Sequence, residues 1–140
     1  MSRQKTEGAF YLDALLGMVL LMAVIISFIS IPEVFIKKQN VDYIARMVVR
    51  RIEQEGKMDV QVQRYITELT DEVGIHPVIS WSGNFQGPSN KLQLRERFRI
   101  EVRYPVKIKI VEPSFREPVY LEIQVSKTLR GVSEVYWKDL

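Results

Sequence analysis

The side chains that most often perform catalysis are scarce in this sequence. Cysteine does not occur and His76 is the only histidine, so the chain offers no thiolate nucleophile and no His or Cys cluster for zinc. No G-x-S-x-G turn marks a nucleophilic serine, and the region around Gly83 and Gly87 matches no phosphate-binding loop. We therefore expect no enzymatic activity, no metal, no cofactor and no small-molecule substrate, with His76 in a capping or solvated position.

Positive charge is the second chemical feature. The net charge of +3 is spread through the chain, but within residues 91–111 the cations fall on one side of a predicted strand. Even-numbered positions there are apolar apart from Glu96, whereas most odd-numbered positions are charged and Glu101 is their single acid. The cations are Arg95, Arg97, Arg99, Arg103, Lys107 and Lys109. On one face of a strand they could contact a polyanion, such as a nucleic-acid backbone or an anionic wall polymer.

A solvated face is the alternative interpretation of these cations. Charges on a strand protect its edge from aggregation, and acids such as Glu122 are expected beside them. Phe98 and Tyr104 belong to the opposite face, so no aromatic rings for stacking bases are interleaved with the cations. Nucleic acid is therefore the less favoured partner.

A third feature lies at the N-terminus. A short basic leader ends at Gly8, and Asp13 follows five residues later at the start of an uncharged segment. A glycine beside a scissile bond lets the backbone enter a narrow active site. A carboxylate near the end of an apolar helix needs a partner, since a charge costs roughly 2.5–3.5 kcal/mol at the bilayer centre. The alternative is a linker glycine followed by an interfacial acid that the helix dipole favours.

The uncharged segment is long enough to cross a membrane. The nineteen residues 14–32 separate Asp13 from Glu33. As a helix they would cover about 28 Å, close to the ~30 Å hydrocarbon core of a bilayer. A buried helix of a soluble protein would need a larger domain around it, and a secretory signal would be shorter and end in a small-x-small site. We expect one membrane-spanning anchor.

Helical periodicity continues beyond this segment. Pro32 removes a hydrogen bond and is expected to kink the helix. An amphipathic stretch follows, and Gly56 is its predicted stop. Its apolar face comprises Val34, Val41, Ala45, Val48 and Ile52. A second helix is predicted between an Asp59 N-cap and a Gly74 C-cap. Its apolar stripe comprises Val62, Tyr65, Ile66, Leu69 and Val73.

The remaining residues alternate with a period of two, which is typical of an antiparallel sheet. The pattern predicts a strand at 77–81, a loop at 82–90, and then 91–111, where Pro105 indicates either two strands or one long edge strand. It continues with a connector at 112–118, a strand at 119–129 and a last short strand within 132–137. In the strand at 119–129 the side chains expected to point inward are Val119, Leu121, Ile123 and Val125.

The N-terminal junction resembles that of type IV pilin-like prepilins, in which a membrane-embedded peptidase cuts after a glycine and an acid stands fifth in the new N-terminus. The order of the elements and the run Arg103-Tyr104-Pro105 are most similar to the tight-adherence (Tad) pseudopilins. The resemblance implies cleavage between Gly8 and Ala9 by prepilin peptidase. It also implies a role for Asp13 in assembly and packing of the N-terminal helix against other pilin-like subunits.

We therefore predict an α+β fold with a long kinked N-terminal helix, a short second helix and a small antiparallel sheet. Residues 1–8 are the leader and 9–33 the transmembrane helix. Residues 34–74 are the amphipathic helical region and 75–140 the sheet, packed together as one extracytoplasmic domain. Because Arg3 and Lys5 before the span balance Lys37 and Lys38 after it, the orientation rests on the shortness of the N-terminal side.

We expect this chain to be a minor pilin or pseudopilin-like structural subunit. It would be held by lipid in a bacterial cytoplasmic membrane, with its N-terminus in the cytoplasm, and would assemble into a pilus or secretion apparatus at the cell surface. The alternative is an uncleaved single-pass protein whose external domain is an interaction module of an envelope or DNA-transfer complex.

Overall fold

The computed structural model describes residues 3–111, 114 and 116–139, and its fold is α+β as predicted. The elements in chain order are α1 (Arg3–Glu55), α2 (Val60–Val73), β1 (Val78–Gly83), β2 (Arg97–Val111) and β3 (Val119–Val132). The chain forms two compact units, Met1–Phe35 and Ile36–Leu140. The first contains the apolar part of α1, and the second contains the rest of α1 and all the other elements.

The apolar part of α1 exposes its side chains on every side. From Phe10 to Ile29, every described side chain is exposed, including all the large apolar ones. Ser27 donates a hydrogen bond to the Ala23 carbonyl at 2.8 Å, so its hydroxyl is satisfied within the helix. Pro32 lies inside α1, which is bent.

The second part of α1 buries one face. Val41, Ala45, Val48 and Ile52 are fully buried, as the periodicity predicts, and Ile44 joins them. The helix ends at Glu55, before the predicted stop. Gly56 adopts a left-handed φ of 61° and its amide donates to the Ile52 carbonyl at 2.7 Å. Glycine reaches this conformation without steric cost, so it can end the helix here.

The limits of α2 follow its capping residues. The Asp59 carboxylate accepts hydrogen bonds from the amides of Gln61 and Val62 at 3.1 and 3.0 Å. A hydrogen bond from Lys57 and these two amides hold the pKa of Asp59 below its ordinary value, so the cap stays charged. Gly74 closes the helix with a φ of 77°. Of the predicted stripe, Val62 and Leu69 are buried, whereas the other members are half-buried.

The sheet has three antiparallel strands in the order β1-β2-β3. Along β2, Phe98, Ile100, Val102 and Val106 are buried and the charged odd-numbered side chains from Arg97 to Lys109 face outward, so the predicted alternation is confirmed.

Of the two alternatives predicted at Pro105, the structure shows the single long strand, because β2 runs through this residue. Pairing with β1 ends at Arg103, opposite Val78, whereas pairing with β3 continues. From Pro105 onward, β2 therefore has an open side, where a residue without an amide hydrogen is tolerated. β2 is central in its first half and an edge in its second.

Other parts of the sheet also differ from the prediction. β1 extends to Gly83, β3 extends to Val132, and residues 133–138 form no strand. Residues 91–96 lie outside β2 because the chain turns at Arg95, which has a positive φ of 67°. The connector at 112–118 lies partly outside the described residues.

Only two of the four β3 residues expected to point inward are covered. Val125 is buried and Ile123 is half-buried, but Val119 and Leu121 are exposed. Their direction on the strand is as predicted. Their exposure shows that the described part of the second unit does not extend over this end of the hairpin.

The segment after β3 is held by hydrogen bonds around the end of α1. The Gly56 carbonyl accepts from the Leu92 amide at 2.7 Å and from the Trp137 indole at 3.1 Å. The Glu134 amide donates to the Glu53 carbonyl at 3.1 Å. These bonds satisfy carbonyls at a helix end, which have no partner within the helix itself. They replace the ladder bonds of the last strand that the sequence predicted.

Gly56 should therefore tolerate substitution less well than Gly74, although both have positive φ. A Cβ built on Gly56 would lie 2.6 Å from Val135 Cβ, whereas one on Gly74 would meet nothing within 4 Å. Gly74→Ala should cost about 1–2 kcal/mol for the left-handed backbone alone. Gly56→Ala should cost a further ~1–3 kcal/mol for overpacking. Denaturant unfolding of the full chain in mild detergent, followed by tryptophan fluorescence, measures both. Equal costs would show that the contact with Val135 relaxes freely.

Candidate functional site

The three residues of the N-terminal junction all lie on α1. Gly8, Ala9 and Asp13 are exposed, and a Cβ on Gly8 would have no described neighbour within 4 Å other than the adjacent residues and the backbone of its own helix. The Asp13 carboxylate forms no ion pair or side-chain hydrogen bond with the residues that the structure describes. This charge, at the entrance to the apolar segment, is therefore available to a group from outside the chain.

The apolar segment that follows is exposed throughout. Among the described residues, α1 is the one helix long and apolar enough to cross a membrane, and none of its most apolar window is buried. Exposing so many large apolar side chains to water is unfavourable by roughly 25 cal/mol per Å². The first unit is therefore compatible with a membrane anchor.

The basic face of β2 contains five of the six predicted cations. Arg97, Arg99, Arg103, Lys107 and Lys109 are exposed on the strand face opposite the core. Arg95 is not a member, because it lies in the turn that precedes β2. The prediction that Arg95 belongs to this face is wrong, because period-two alternation holds only within a strand and β2 begins at Arg97.

Part of the charge on this face is neutralised by neighbours. Arg103 binds Glu101 through two hydrogen bonds of 2.8 Å, from Nε to Oε1 and from Nη2 to Oε2. This pair raises the pKa of Arg103 and lowers the pKa of Glu101. Lys107 lies directly opposite Glu122 on β3, so an acid does stand beside the cations as predicted. Arg97 and Arg99 have no ion-pair partner among the described residues.

Arg130 is a further cation that sequence reasoning missed. The register places it directly opposite Arg99, on the same face of the sheet. Its even-numbered position in β3 is a sequence signal for the outward face. Its neighbour Arg99 follows only from the pairing register of β2 and β3. A depression of about 350 Å³ lies on this side of the sheet. Its lining residues are Ser82, Gly83, Arg97, Phe98, Arg99 and Arg130. We name Arg97, Arg99 and Arg130 the arginine cluster.

A second depression, of about 490 Å³, lies between the second part of α1 and the end of β3. Arg130 lines it as well, together with Arg46 and Arg50. Glu53 and Glu134 also line it, so its charge is mixed. Glu53 is already engaged, since its carboxylate accepts the Val132 amide at 3.0 Å. The arginine cluster is therefore the more uniformly positive of the two surfaces.

The single histidine is solvated, as predicted. His76 is exposed, and its Nδ1 lies 3.6 Å from the Asp71 carboxylate, which is also exposed. Within the described residues, no group of three or more His, Asp or Glu side chains could hold a metal ion.

Residues 18–138 match the family described as a domain of unknown function (DUF4320). The chain belongs to this family. The DUF4320 region covers most of the apolar segment, the second part of α1, α2 and the sheet, and it contains the arginine cluster. The junction residues Gly8, Ala9 and Asp13 precede it. No curated protein and no solved structure matches the chain.

The pair of Arg99 and Arg130 should destabilise the sheet. Like charges directly opposite in an antiparallel pair are unfavourable, so Arg130→Glu should raise the free energy of unfolding by about 0.2–1 kcal/mol. Added salt should reduce this gain. Denaturant unfolding of the full chain in detergent, at low and high salt, measures it.

The control is the double variant Arg99→Glu with Arg130→Glu, in which two acids face each other and the gain should disappear. A gain that survived in the double variant would contradict a pairwise effect between these residues.

Proposed function

We propose that this DUF4320 member is a membrane-anchored structural subunit, a minor pilin or pseudopilin-like protein that assembles through its N-terminal helix. The supporting observation is the exposure of α1, whose apolar side chains point outward on all sides through the predicted span. A helix of this kind can be surrounded by lipid in one state and by the helices of other subunits in another. The folded second unit would be carried on it at the cell surface.

Cleavage by prepilin peptidase between Gly8 and Ala9 is the first step of the proposal. Gly8 and Ala9 are exposed and the Cβ position of Gly8 is unobstructed, so no described side chain covers the bond that the peptidase would cut. The peptidase would have to unwind the helix locally, because Gly8 lies within α1. Glycine lowers the cost of that step, since it is a poor helix former.

Asp13 would guide the assembly of cleaved subunits. Its carboxylate has no described partner in its own chain, and an uncompensated charge at the edge of the hydrocarbon layer is unfavourable. The new α-amino group of Ala9, on a neighbouring subunit, would neutralise it. Pairing of this kind would set the stagger between adjacent helices, whose small residues Gly17 and Ala23 allow close approach.

The proposed location is a bacterial cytoplasmic membrane, with the leader in the cytoplasm and the second unit outside. Lipid is then the first partner, prepilin peptidase the second, and other pilin-like subunits the third. The second unit would contribute to contacts in the assembled apparatus.

A second candidate is an uncleaved single-pass protein whose external unit binds an anionic partner in an envelope or DNA-transfer complex. The observation that favours it is the arginine cluster, in which Arg99 and Arg130 face each other without an acid between them. A like-charge pair retained at some cost in stability is consistent with an anionic ligand. This candidate requires no cleavage at Gly8.

Two substitutions test the first candidate in a host with an active prepilin peptidase. Gly8→Val should block cleavage and leave an intact N-terminus in the membrane. Asp13→Asn should be cleaved and membrane-bound but should fail to enter assemblies, because the new amino group loses its partner. Mass spectrometry of the membrane form and crosslinking between subunits provide the two measurements.

Gly17→Val is the matched control for Gly8→Val, since both glycines are exposed and have nothing within 4 Å of a built Cβ. It should leave cleavage unchanged. Recovery of the unmodified chain with Met1 still present would refute cleavage and favour the second candidate. Normal assembly of Asp13→Asn would show that the acid is only an interfacial charge.

A further inference from the structure

We propose that the open edge of β3 pairs with the same edge of a second copy of this chain, antiparallel and centred on Ser126. The sheets of the two copies would then join into one continuous sheet. This inference concerns the second unit alone. It goes beyond the proposed function and requires neither a membrane span nor cleavage at Gly8.

The first observation is that β3 is an unprotected edge strand. Among the described residues, β2 is its only neighbour in the sheet. β3 is fourteen residues long and contains no proline, and its pairing with β2 is regular from Tyr120 to Val132. Short strands, prolines and bulges are devices by which proteins protect a sheet edge. Because β3 has none of them over this range, its edge can template another strand.

Two hydrogen bonds show which backbone groups of β3 point to the open edge. The amide of Ser133, directly after the strand, donates to the Glu96 carbonyl at 2.9 Å, on the side of β2. The Val132 amide donates to the Glu53 carboxylate at 3.0 Å, on the other side. Since successive residues of a strand direct their backbone groups to opposite sides, the even-numbered residues of β3 face the open edge. Glu53 occupies this edge at Val132, which leaves residues 122–130 for a partner.

The charged side chains of β3 identify the partner as a second copy. Glu122 and Arg130 are the two charged residues on the outward face of the strand. Neither forms an ion pair among the described residues. They are equally distant from Ser126, so only self-pairing centred there places Glu122 of each copy opposite Arg130 of the other. Opposite charges that face each other across two strands stabilise the pairing, and the two-fold symmetry provides this pair twice.

This register also supplies the acid that the arginine cluster lacks. Within one chain Arg130 faces Arg99, and no acid stands between them. In the paired state, Glu122 of the second copy lies on the other side of Arg130. A row of two cations and one acid replaces the like-charge pair, so pairing compensates for part of the repulsion between the arginines.

The inner face of β3 is compatible with the same register. Ile123 and Leu129 are both half-buried, and each lies opposite the other in the second copy. Leu121 is 48% exposed and lies opposite Gly131, which has no side chain to obstruct it. Pairing therefore covers apolar side chains that remain partly exposed in one copy.

Lys127 disfavours the neighbouring register. It is the one charged residue on the inner face of β3. A pair centred on Lys127 would place the two ammonium groups directly opposite each other, which is unfavourable. A pair centred on Ser126 places each Lys127 opposite Val125 instead.

The absence of cysteine in the chain allows a test that is specific for the register. The full chain carrying Ser126→Cys is oxidised with copper phenanthroline in mild detergent. The two Cα atoms at the centre of the pair would be about 5.5 Å apart, which suits a disulfide, so a linked dimer should form. The matched control is Thr128→Cys, which is exposed on the same face of β3. Its two copies would lie about 13 Å apart along the strands and should not be linked.

A charge reversal provides the second measurement. Glu122→Arg or Arg130→Glu alone would turn both opposite-charge pairs into like-charge pairs, and should raise the dimer dissociation constant about tenfold. The double variant with both changes restores the pairs and should restore the dimer. Arg64→Glu, on α2, makes the same change in net charge as Arg130→Glu and should have no effect. Analytical ultracentrifugation of the full chain in density-matched detergent measures the constant. The effect of Arg130→Glu on the folding of one copy is separable, since it does not depend on protein concentration.

Three results would overturn the inference. The first is no disulfide at position 126, and the second is linkage at 128 as efficient as at 126. The third is a double variant that associates no better than the single variants. Association through α1 alone would join the copies without these effects, so the proposed assembly through α1 can survive the failure of this inference. Recovery of the uncleaved chain, in turn, would leave the pairing of β3 unaffected.

Discussion

The organisation of this protein depends on one constraint, the incompatibility of residues 14–32 with water. These residues carry no charge, form part of α1, and expose their described apolar side chains on every side. Such a helix cannot remain dispersed in water, because the hydrophobic effect favours its transfer to lipid or to other helices. Lipid and other helices can each cover this apolar surface and remove it from water. That is why an anchor of this kind can also serve as an assembly surface.

The second unit shows how the same helix can also support a folded domain. Beyond Ile36, α1 changes from exposure on all sides to burial of one face, and its end at Gly56 is closed by bonds from distant parts of the chain. Leu92 and Trp137 both donate to the Gly56 carbonyl, so the start of the β region and the C-terminal segment meet there. One helix thus has an apolar first part that is compatible with a membrane anchor and a second part that belongs to the core, and the family match includes residues of both.

Local signals in the sequence were sufficient for most of the elements. The caps at Asp59 and Gly74 and the alternation in β2 act within a few residues, so they could be recognised without the fold. The features that the sequence left open or missed depend on distant partners. Pro105 is tolerated in β2 because β1 stops opposite Arg103. Arg130 lies opposite Arg99 because of the pairing register between β2 and β3, which the sequence does not reveal. Leu121 is exposed because, among the described residues, no other element packs over this end of the β2–β3 hairpin.

The central claim is a single span that separates the leader from the folded unit, and cysteine accessibility tests it most directly. Two single-cysteine forms, Ser2→Cys and Tyr136→Cys, are expressed in bacterial cells that lack prepilin peptidase and are treated with a membrane-impermeant maleimide. The account predicts labelling of position 136 in cells with an opened outer layer and an intact cytoplasmic membrane. It predicts labelling of position 2 only after that membrane is permeabilised. Labelling of both positions before permeabilisation, or of position 136 only afterwards, would contradict it.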